Sequence, residues 1–129
     1  MTHEGGCFCR AVRWKATGEP VNVRYCHCRQ CQMAMGSPFF VRALFDQDKV
    51  SVEGQVEQYP SSDRIWRVFC RECGTRLFAK RVDGSVMGIA LATFDDPNAL
   101  TPTEHIFVEE KIGWFSIGDN LPQHPQRPE

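Results

Sequence analysis

Alternation of hydrophobic and polar residues dominates this chain. Eight segments combine that alternation with β-branched or aromatic residues, a pattern typical of β-strands with one buried face. These segments are residues 10–14, 21–25, 39–45, 50–59, 64–70, 75–82, 85–94 and 105–110. Gly54 interrupts the fourth segment and predicts a hairpin turn there. Segment 85–94 is apolar on both faces, which predicts a central position in a sheet.

Helical patterns are weak by comparison. One short helix is predicted at about residues 29–35, ended by Gly36 and blocked from continuing by Pro38. The end of the chain, about residues 116–129, is rich in proline and is expected to lie extended on the surface. No internal repeat or interdomain linker is evident. We therefore predict one mostly β domain over residues 1–129.

Composition and charge exclude several classes of protein. The chain is 42% hydrophobic and 24% charged, with a net charge of −1 and an isoelectric point of about 6.4. Such a chain lacks the basic excess expected for binding nucleic acid or an anionic membrane. It has no apolar signal segment and no run approaching the roughly 18 apolar residues of a membrane span. We expect a cytoplasmic protein that binds neither nucleic acid nor membrane.

Seven cysteines change this picture. Disulfides are rare in the cytoplasm, so this number favours metal binding. Cys7 and Cys9 are two residues apart, a spacing that places both thiols on one face of a strand. Cys70 and Cys73 lie in a CxxCG turn between two predicted strands, the sequence pattern of a zinc knuckle. Zinc is the metal expected for these cysteines, because four thiolates complete a closed tetrahedral zinc site.

The remaining cysteines, Cys26, Cys28 and Cys31, lie together in YCHCRQC. Spacing alone allows two partitions. In the first, Cys28 and Cys31 join Cys70 and Cys73 in a CxxC…CxxC zinc ribbon. In the second, Cys7 and Cys9 join Cys70 and Cys73, and the trio Cys26, Cys28 and Cys31 stays together. The second partition is favoured because three ligands from one loop can converge on one ion. A metal held by three protein ligands keeps a position for water or substrate, as catalytic zinc does. A redox-sensing or unoccupied trio is the alternative.

Several other residues are candidates for binding substrate. Phe39 and Phe40 directly follow the trio and would wall a small apolar pocket. His27 lies between two of the cysteines and is a candidate fourth ligand or proton donor, although alternation points it away from them. Arginines pair well with carboxylates. The sequence does not distinguish among four such candidates: Arg29, Arg42, Arg67 and Arg76.

Taken in order, the motifs of this chain resemble those of a known family. The motifs are GGCFCRAVRW at 5–14, YCHCRQC at 25–31, GSPF at 36–39, FCRECGTRLF at 69–78 and HIFVEEKIGWF at 105–115. Together they resemble the glutathione-dependent formaldehyde-activating family, which also includes centromere protein V. The resemblance runs over nearly the whole chain, and all seven cysteines fall on the family's pattern.

The resemblance implies a fold similar to the Mss4-like β-tent, in which small antiparallel sheets are stapled by zinc. It also implies two Zn²⁺ per chain. A structural zinc would be held by Cys7, Cys9, Cys70 and Cys73. A second, open zinc associated with activity would be held by Cys26, Cys28 and Cys31.

The same resemblance implies a chemistry. The family name implies addition of glutathione to formaldehyde, giving S-(hydroxymethyl)glutathione, and members are classed as carbon–sulfur lyases. The expected partners are therefore a small thiol such as glutathione and a small aldehyde. Zinc on three thiolates is formally anionic, so it suits stabilising a substrate thiolate better than activating water. The alternative function is a non-catalytic zinc-stabilised binding module or a thiol or zinc sensor.

Overall fold

The computed structural model describes residues 1–129 and consists mainly of β-strands. In chain order the elements are β1 Thr2–Gly6, β2 Arg13–Thr17, β3 Asn22–Cys26, α1 Arg29–Met35, β4 Phe40–Asp46, β5 Val50–Glu53, β6 Val56–Pro60, β7 Ile65–Cys70, β8 Arg76–Arg81, β9 Val86–Ala90 and β10 Glu104–Ile106. Short 3-10 turns follow at Gln47–Lys49, Leu91–Thr93 and Val108–Glu110. No helix of the structure is long and apolar enough to cross a membrane. The prediction of a mostly β protein with one short helix is confirmed.

The strands form two sheets. A small sheet has the order β1-β2-β5, and a large sheet has the order β10-β3-β4-β9-β8-β7-β6. All paired strands are antiparallel except β10, which runs parallel to β3. Strand β9 is in the middle of the seven-stranded sheet, as its apolar character on both faces predicts.

The segment around Gly54 corrects one prediction. Residues 50–59 do not form a hairpin, because β5 pairs with β2 in the small sheet and β6 pairs with β7 in the large one. Gly54 is where the chain crosses between the sheets. Its φ is +105°, and a Cβ there would lie 2.2 Å from the carbonyl oxygen of Ala11. The turn was predicted correctly, but the hairpin was wrong because the two strands have different partners.

Other strands also differ from the sequence prediction. Strand β2 lies at Arg13–Thr17 and not at 10–14, and β9 ends at Ala90 and not at residue 94. Strand β1 was missed, since its sequence THEGG has little β propensity and the strand is held by pairing with β2. Gly5 of this strand is required by close packing, because a Cβ would come within 2.5 Å of the Trp14 ring. The strand predicted at 105–110 ends at Ile106, since Phe107 adopts a left-handed conformation with φ of 56°.

The two faces of the large sheet have different environments. Because side chains alternate between faces, one face packs against the small sheet and forms the main core. That core includes Trp14, Val23, Phe45, Val68, Phe78 and Ile89. The opposite face carries Cys26 and several arginines, and it faces a cavity.

The proline-rich tail is attached to the large sheet. The N–H of His105 donates to the carbonyl of Pro122, and the N–H of His124 donates back to His105, both at 2.9 Å. Further along, the Glu129 carboxylate pairs with Arg24. The tail therefore continues past β10 and ends at the cavity face of the sheet.

Candidate functional site

The seven thiols form two separate clusters. Within each cluster the sulfur atoms lie within 4.8 Å of one another. The first cluster is Cys7, Cys9, Cys70 and Cys73, and the second is Cys26, Cys28 and Cys31. This is the partition that the family resemblance implies, and the structure does not form the alternative CxxC…CxxC ribbon.

Sulfur separations in both clusters fit a tetrahedral metal site. A zinc ion with Zn–S bonds of about 2.3 Å holds its sulfur ligands about 3.8 Å apart. The observed separations are 3.6 Å for Cys7–Cys9, 3.8 Å for Cys9–Cys70 and 3.5 Å for Cys26–Cys31. A disulfide requires about 2.05 Å, and all seven cysteines are free. The donor sets therefore suit a thiophilic metal.

The four-thiol cluster joins distant parts of the chain. Cys7 and Cys9 follow β1 of the small sheet, whereas Cys70 ends β7 and Cys73 lies in the turn before β8. Cys70 Sγ accepts the N–H groups of Glu72 at 3.3 Å and Cys73 at 3.4 Å. A hydrogen bond with the Thr75 hydroxyl lowers the pKa of Cys73 to about 5.

The three-thiol cluster is built by the connection from β3 to α1. Cys26 is the last residue of β3, Cys28 is the N-cap of α1, and Cys31 lies in the first helical turn. Cys28 Sγ accepts the N–H of Cys31 at 3.3 Å, and the helix ends at Gly36 with φ of 60°. A strand end, a helix cap and one turn of helix thus bring three thiols together within six residues.

Negative charge in this cluster is concentrated on Cys31. Hydrogen bonds from Cys26 and Cys28 lower the pKa of Cys31 to about 3, and the nearby Arg67 guanidinium lowers it further. Cys26 is affected in the opposite direction, because its hydrogen bonds with Cys28 and Cys31 raise its pKa. The trio is therefore prepared to hold at least one thiolate before any metal binds.

A cavity of about 510 Å³ lies beside the three-thiol cluster. All three thiols of the trio line it, and none of the four-thiol cluster does. Its floor is the exposed face of the large sheet, where Ala79 on β8 pairs with Gly88 on β9. These small residues leave room above the sheet, and the volume is that of a typical small-molecule site.

Gly88 has a specific role in shaping this floor. A Cβ at this position would lie 2.6 Å from Cδ of Arg42, which crosses over β9 from the neighbouring strand β4. Glycine therefore lets the Arg42 side chain lie flat across the sheet beside the cavity.

The cavity is strongly cationic although the chain as a whole has a net charge of −1. Two acidic residues line it, Glu110 and Glu129. The arginines that line it are Arg24, Arg42, Arg64, Arg67, Arg81 and Arg127. Of the four arginines named from the sequence, Arg42 and Arg67 line the cavity. Arg29 instead donates to Gln32 at 3.0 Å, and Arg76 lies over the Phe69 ring at 5.4 Å.

Two of these arginines, Arg24 and Arg67, are buried. Arg24 donates to Glu104 and makes a bidentate pair with Glu129, each bond 2.8 Å long. Arg67 is 6% exposed. Its Nε donates to Ser61 at 3.0 Å, while its Nη2 lies 3.2 Å from Gln30 Oε1 and 3.6 Å from Cys31 Sγ.

Neither Arg67 nor Arg42 pairs with a carboxylate. Nη1 of Arg67 is buried and has no hydrogen-bond partner. Arg42 donates to the Asn22 side chain at 2.7 Å and forms no salt bridge, and burial lowers its pKa. Both guanidinium groups therefore retain capacity for an anion.

The aromatic residues near the trio form a separate group. Phe39 packs against Tyr25, His27 and Phe115 and does not line the cavity. The neighbouring Phe40 lines it, because adjacent residues of an extended chain point to opposite faces. Of the two phenylalanines that the sequence assigns to an apolar wall, Phe40 therefore lines the cavity and Phe39 does not.

His27 lies on the same side as Phe39, away from the thiols. It is fully buried, and its Nε2 lies 2.8 Å from Nδ1 of His105, whose Nε2 lies 3.0 Å from the Asp119 carboxylate. Burial lowers the pKa of His27 to about 4, so its imidazole is neutral at pH 7. The sequence did not predict this His27–His105–Asp119 chain, because its members are far apart in the sequence.

Sequence reasoning also missed Arg24, Arg64, Arg81 and Arg127 as cavity residues. A usable signal was present for two of them. Arg24 and Cys26 are two residues apart on one strand, as are Ala79 and Arg81, so each pair shares a face. The pairing of the strands, which brings these faces together, could not be read from alternation alone.

Comparisons with known proteins agree with this geometry. A family model described as glutathione-dependent formaldehyde-activating enzyme matches residues 2–110. An uncharacterized lyase of Schizosaccharomyces pombe is 35% identical over 82 residues, or 64% of this chain, and the chain spans 60% of that relative's length. The crystal structure of a Rhodobacter sphaeroides protein covers 93% of this chain and 98% of its own, with a TM-score of 0.61. At 21% identity, this last match shows a shared fold.

Proposed function

Because the chain belongs to the glutathione-dependent formaldehyde-activating enzyme family, we propose that it is a zinc-dependent carbon–sulfur lyase. It forms or cleaves the adduct of a small thiol and a small aldehyde, such as S-(hydroxymethyl)glutathione from glutathione and formaldehyde. The relative that is named a lyase supports this class of reaction. The seven free cysteines support a reducing compartment such as the cytoplasm.

Each thiol cluster has its own part in this proposal. Cys7, Cys9, Cys70 and Cys73 hold a structural zinc, and Cys26, Cys28 and Cys31 hold a second zinc with one position free of protein ligands. Zinc bound by the trio would supply a Lewis-acidic position that favours the ionised form of a substrate thiol.

One observation carries the proposal. The cluster with three thiols lines a cavity of about 510 Å³, and the cluster with four does not. A coordinatively incomplete set of ligands thus coincides with space for a substrate. This combination is typical of catalytic metal sites and not of structural ones.

The reaction is a simple addition. A bond forms between the thiol sulfur and the carbonyl carbon, and the thiol proton is transferred to the carbonyl oxygen, which becomes a hydroxyl group. Cleavage is the reverse. The buried Phe40 and Ile106 form an apolar part of the wall and limit access of water.

The proposal is tested by measuring adduct exchange by NMR with isotopically labelled formaldehyde and glutathione. Thiols and formaldehyde also react without a catalyst, so the exchange rate must exceed that of buffer containing the same zinc concentration. Cys28→Ser should return exchange to the buffer rate, whereas Arg76→Gln, an exposed arginine outside the cavity, should leave it unchanged. A zinc-loaded wild-type protein that never exceeds buffer would instead favour a binding module or a thiol or zinc sensor.

A further inference from the structure

Strand register assembles the arginines of the cavity on one face of the large sheet. Arg24 on β3 is directly opposite Arg42 on β4. Arg67 on β7 is opposite Ala79, which is opposite Gly88. The residues between Arg42 and Arg67 have small side chains, and the cavity lies above them.

Arg24 shows what this face recognises. Its guanidinium binds the Glu129 carboxylate through two parallel hydrogen bonds of 2.8 Å, the fork geometry that arginine forms with carboxylates. The protein thus provides its own example of a carboxylate bound at the edge of the cavity.

Arg67 has the strongest indication of a missing partner. It is 94% buried, since 6% of its surface is exposed, and it lines the cavity with Nη1 unpaired. Buried donors of native proteins nearly always have partners, so an unpaired guanidinium nitrogen on a residue that lines a cavity indicates a missing partner. Bonds from Nε and Nη2 to Ser61 and Gln30 already fix the orientation of this side chain.

Arg42 provides a second donor with free capacity. Its single side-chain hydrogen bond is to Asn22, a neutral acceptor, and no carboxylate pairs with it. A guanidinium group that is largely buried without an acid is costly unless an anion binds to it. Arg42 and Arg67 line the same cavity as the trio, and Nη2 of Arg67 lies 3.6 Å from Cys31 Sγ.

We propose that Arg42 and Arg67 are the specificity-determining residues for a substrate carboxylate, so that the site takes carboxylated thiols and their aldehyde adducts and not neutral ones. This inference rests on the proposed function for the identity of the reacting group. It goes further by assigning the anionic part of the substrate to two residues. Arg29 and Arg76 have no part in recognition.

The first test needs no variant. Zinc-loaded protein is titrated by calorimetry with glutathione and with glutathione diethyl ester, in which both carboxylates are uncharged, at the same ionic strength. Glutathione should bind about tenfold more tightly or better, because charge-assisted hydrogen bonds to arginine are lost in the ester. Equal affinities for the acid and the ester would overturn the proposal.

The second test assigns the effect to residues. Arg42→Gln and Arg67→Gln should each weaken glutathione binding about tenfold while leaving ester binding unchanged. The matched control, Arg76→Gln, should change neither. If Arg67→Gln does not fold, Arg67→Lys replaces it in this test, because lysine keeps the positive charge and loses the forked geometry of the guanidinium group. A variant that weakens binding of acid and ester equally has a structural role only, and that result contradicts the assignment.

A third ligand separates this inference from the proposed function. S-methylglutathione keeps the carboxylates and has no free thiol. If its binding depends on Arg42 and Arg67 while no adduct exchange is ever detected, the carboxylate site stands and the lyase proposal fails. If adduct exchange proceeds equally well with 2-mercaptoethanol, the lyase proposal stands and the carboxylate specificity is overturned.

Discussion

The two thiol clusters use the same ligand atom in different surroundings. In the four-thiol cluster, Cys9 and Cys73 are exposed, and none of the four cysteines lines the cavity of about 510 Å³. In the three-thiol cluster, Cys26 and Cys31 are buried, Cys28 is half-buried, and all three line a cavity. The number of thiols and their access to this cavity therefore change together, which is the difference expected between a structural metal site and a catalytic one.

The clusters also differ in what they connect. The four-thiol cluster joins residues 61 positions apart, Cys9 and Cys70, and thereby links the small sheet to the large one. The three-thiol cluster joins residues within one short loop. Closing a long loop constrains the unfolded chain far more than closing a short one, so the first site should dominate stability.

The largest expected effect is loss of the four-thiol site. Cys70→Ser removes a fully buried ligand, and we expect the free energy of unfolding to fall by most of the roughly 10 kcal/mol that structural zinc supplies. The domain should then be unfolded at room temperature, which circular dichroism would detect. A folded Cys70→Ser variant with an unchanged melting temperature would show that this cluster does not staple the sheets.

Loss of the three-thiol site should affect activity far more than stability. Cys28→Ser leaves the cross-link between the sheets intact, so we expect the free energy of unfolding to change by about 1 kcal/mol, the typical effect of one point mutation. Adduct exchange should fall to the rate in buffer. Chemical denaturation and exchange NMR on the same sample check both parts. Unfolding as severe as that of Cys70→Ser would contradict the difference between the clusters.

A smaller effect is expected when the cavity floor is altered. Gly88→Ala places a Cβ about where the Arg42 stem lies, 2.6 Å from its Cδ. Arg42 must move, and we expect glutathione to bind several-fold more weakly while zinc content stays the same. Titration calorimetry measures the change. Gly113→Ala is the matched control, since a Cβ there meets nothing within 4 Å. Equal binding by both variants would show that Arg42 does not recognise the ligand.

The smallest expected effect comes from the tail. Glu129→Gln removes the carboxylate that occupies Arg24, while Glu104 still pairs with this arginine. Freed donors at the edge of the cavity should make glutathione bind a few-fold more tightly. Stability should change by less than about 1 kcal/mol, because the Glu129 side chain is mostly exposed. Weaker binding of glutathione to this variant would show that the tail assists the ligand and does not compete with it.

Local features of the fold were predictable from the sequence. The helix at Arg29–Met35 follows from Gly36 and Pro38, which end it. Most strands follow from alternation. The hairpin predicted at Gly54 failed because strand pairing depends on distant partners, and β1 was missed because its two glycines give it no strand pattern.

The site was predictable only in part. The residues of both clusters could be named from their spacing and the family resemblance, since ligands of a metal site are a compact chemical pattern. The arginines could be suggested but not selected. Arg67 and Arg76 look alike in sequence, and only the pairing of strands places one in the cavity and the other against Phe69.

The central claim is that one chain holds a closed zinc site and an open one. Native mass spectrometry under reducing conditions, with and without glutathione and formaldehyde, tests it most directly. We predict two zinc ions per chain, one of them lost more readily, and a mass increase for the adduct that is absent in Cys28→Ser. A single zinc ion, with Cys26, Cys28 and Cys31 freely alkylated and no adduct bound, would contradict the account.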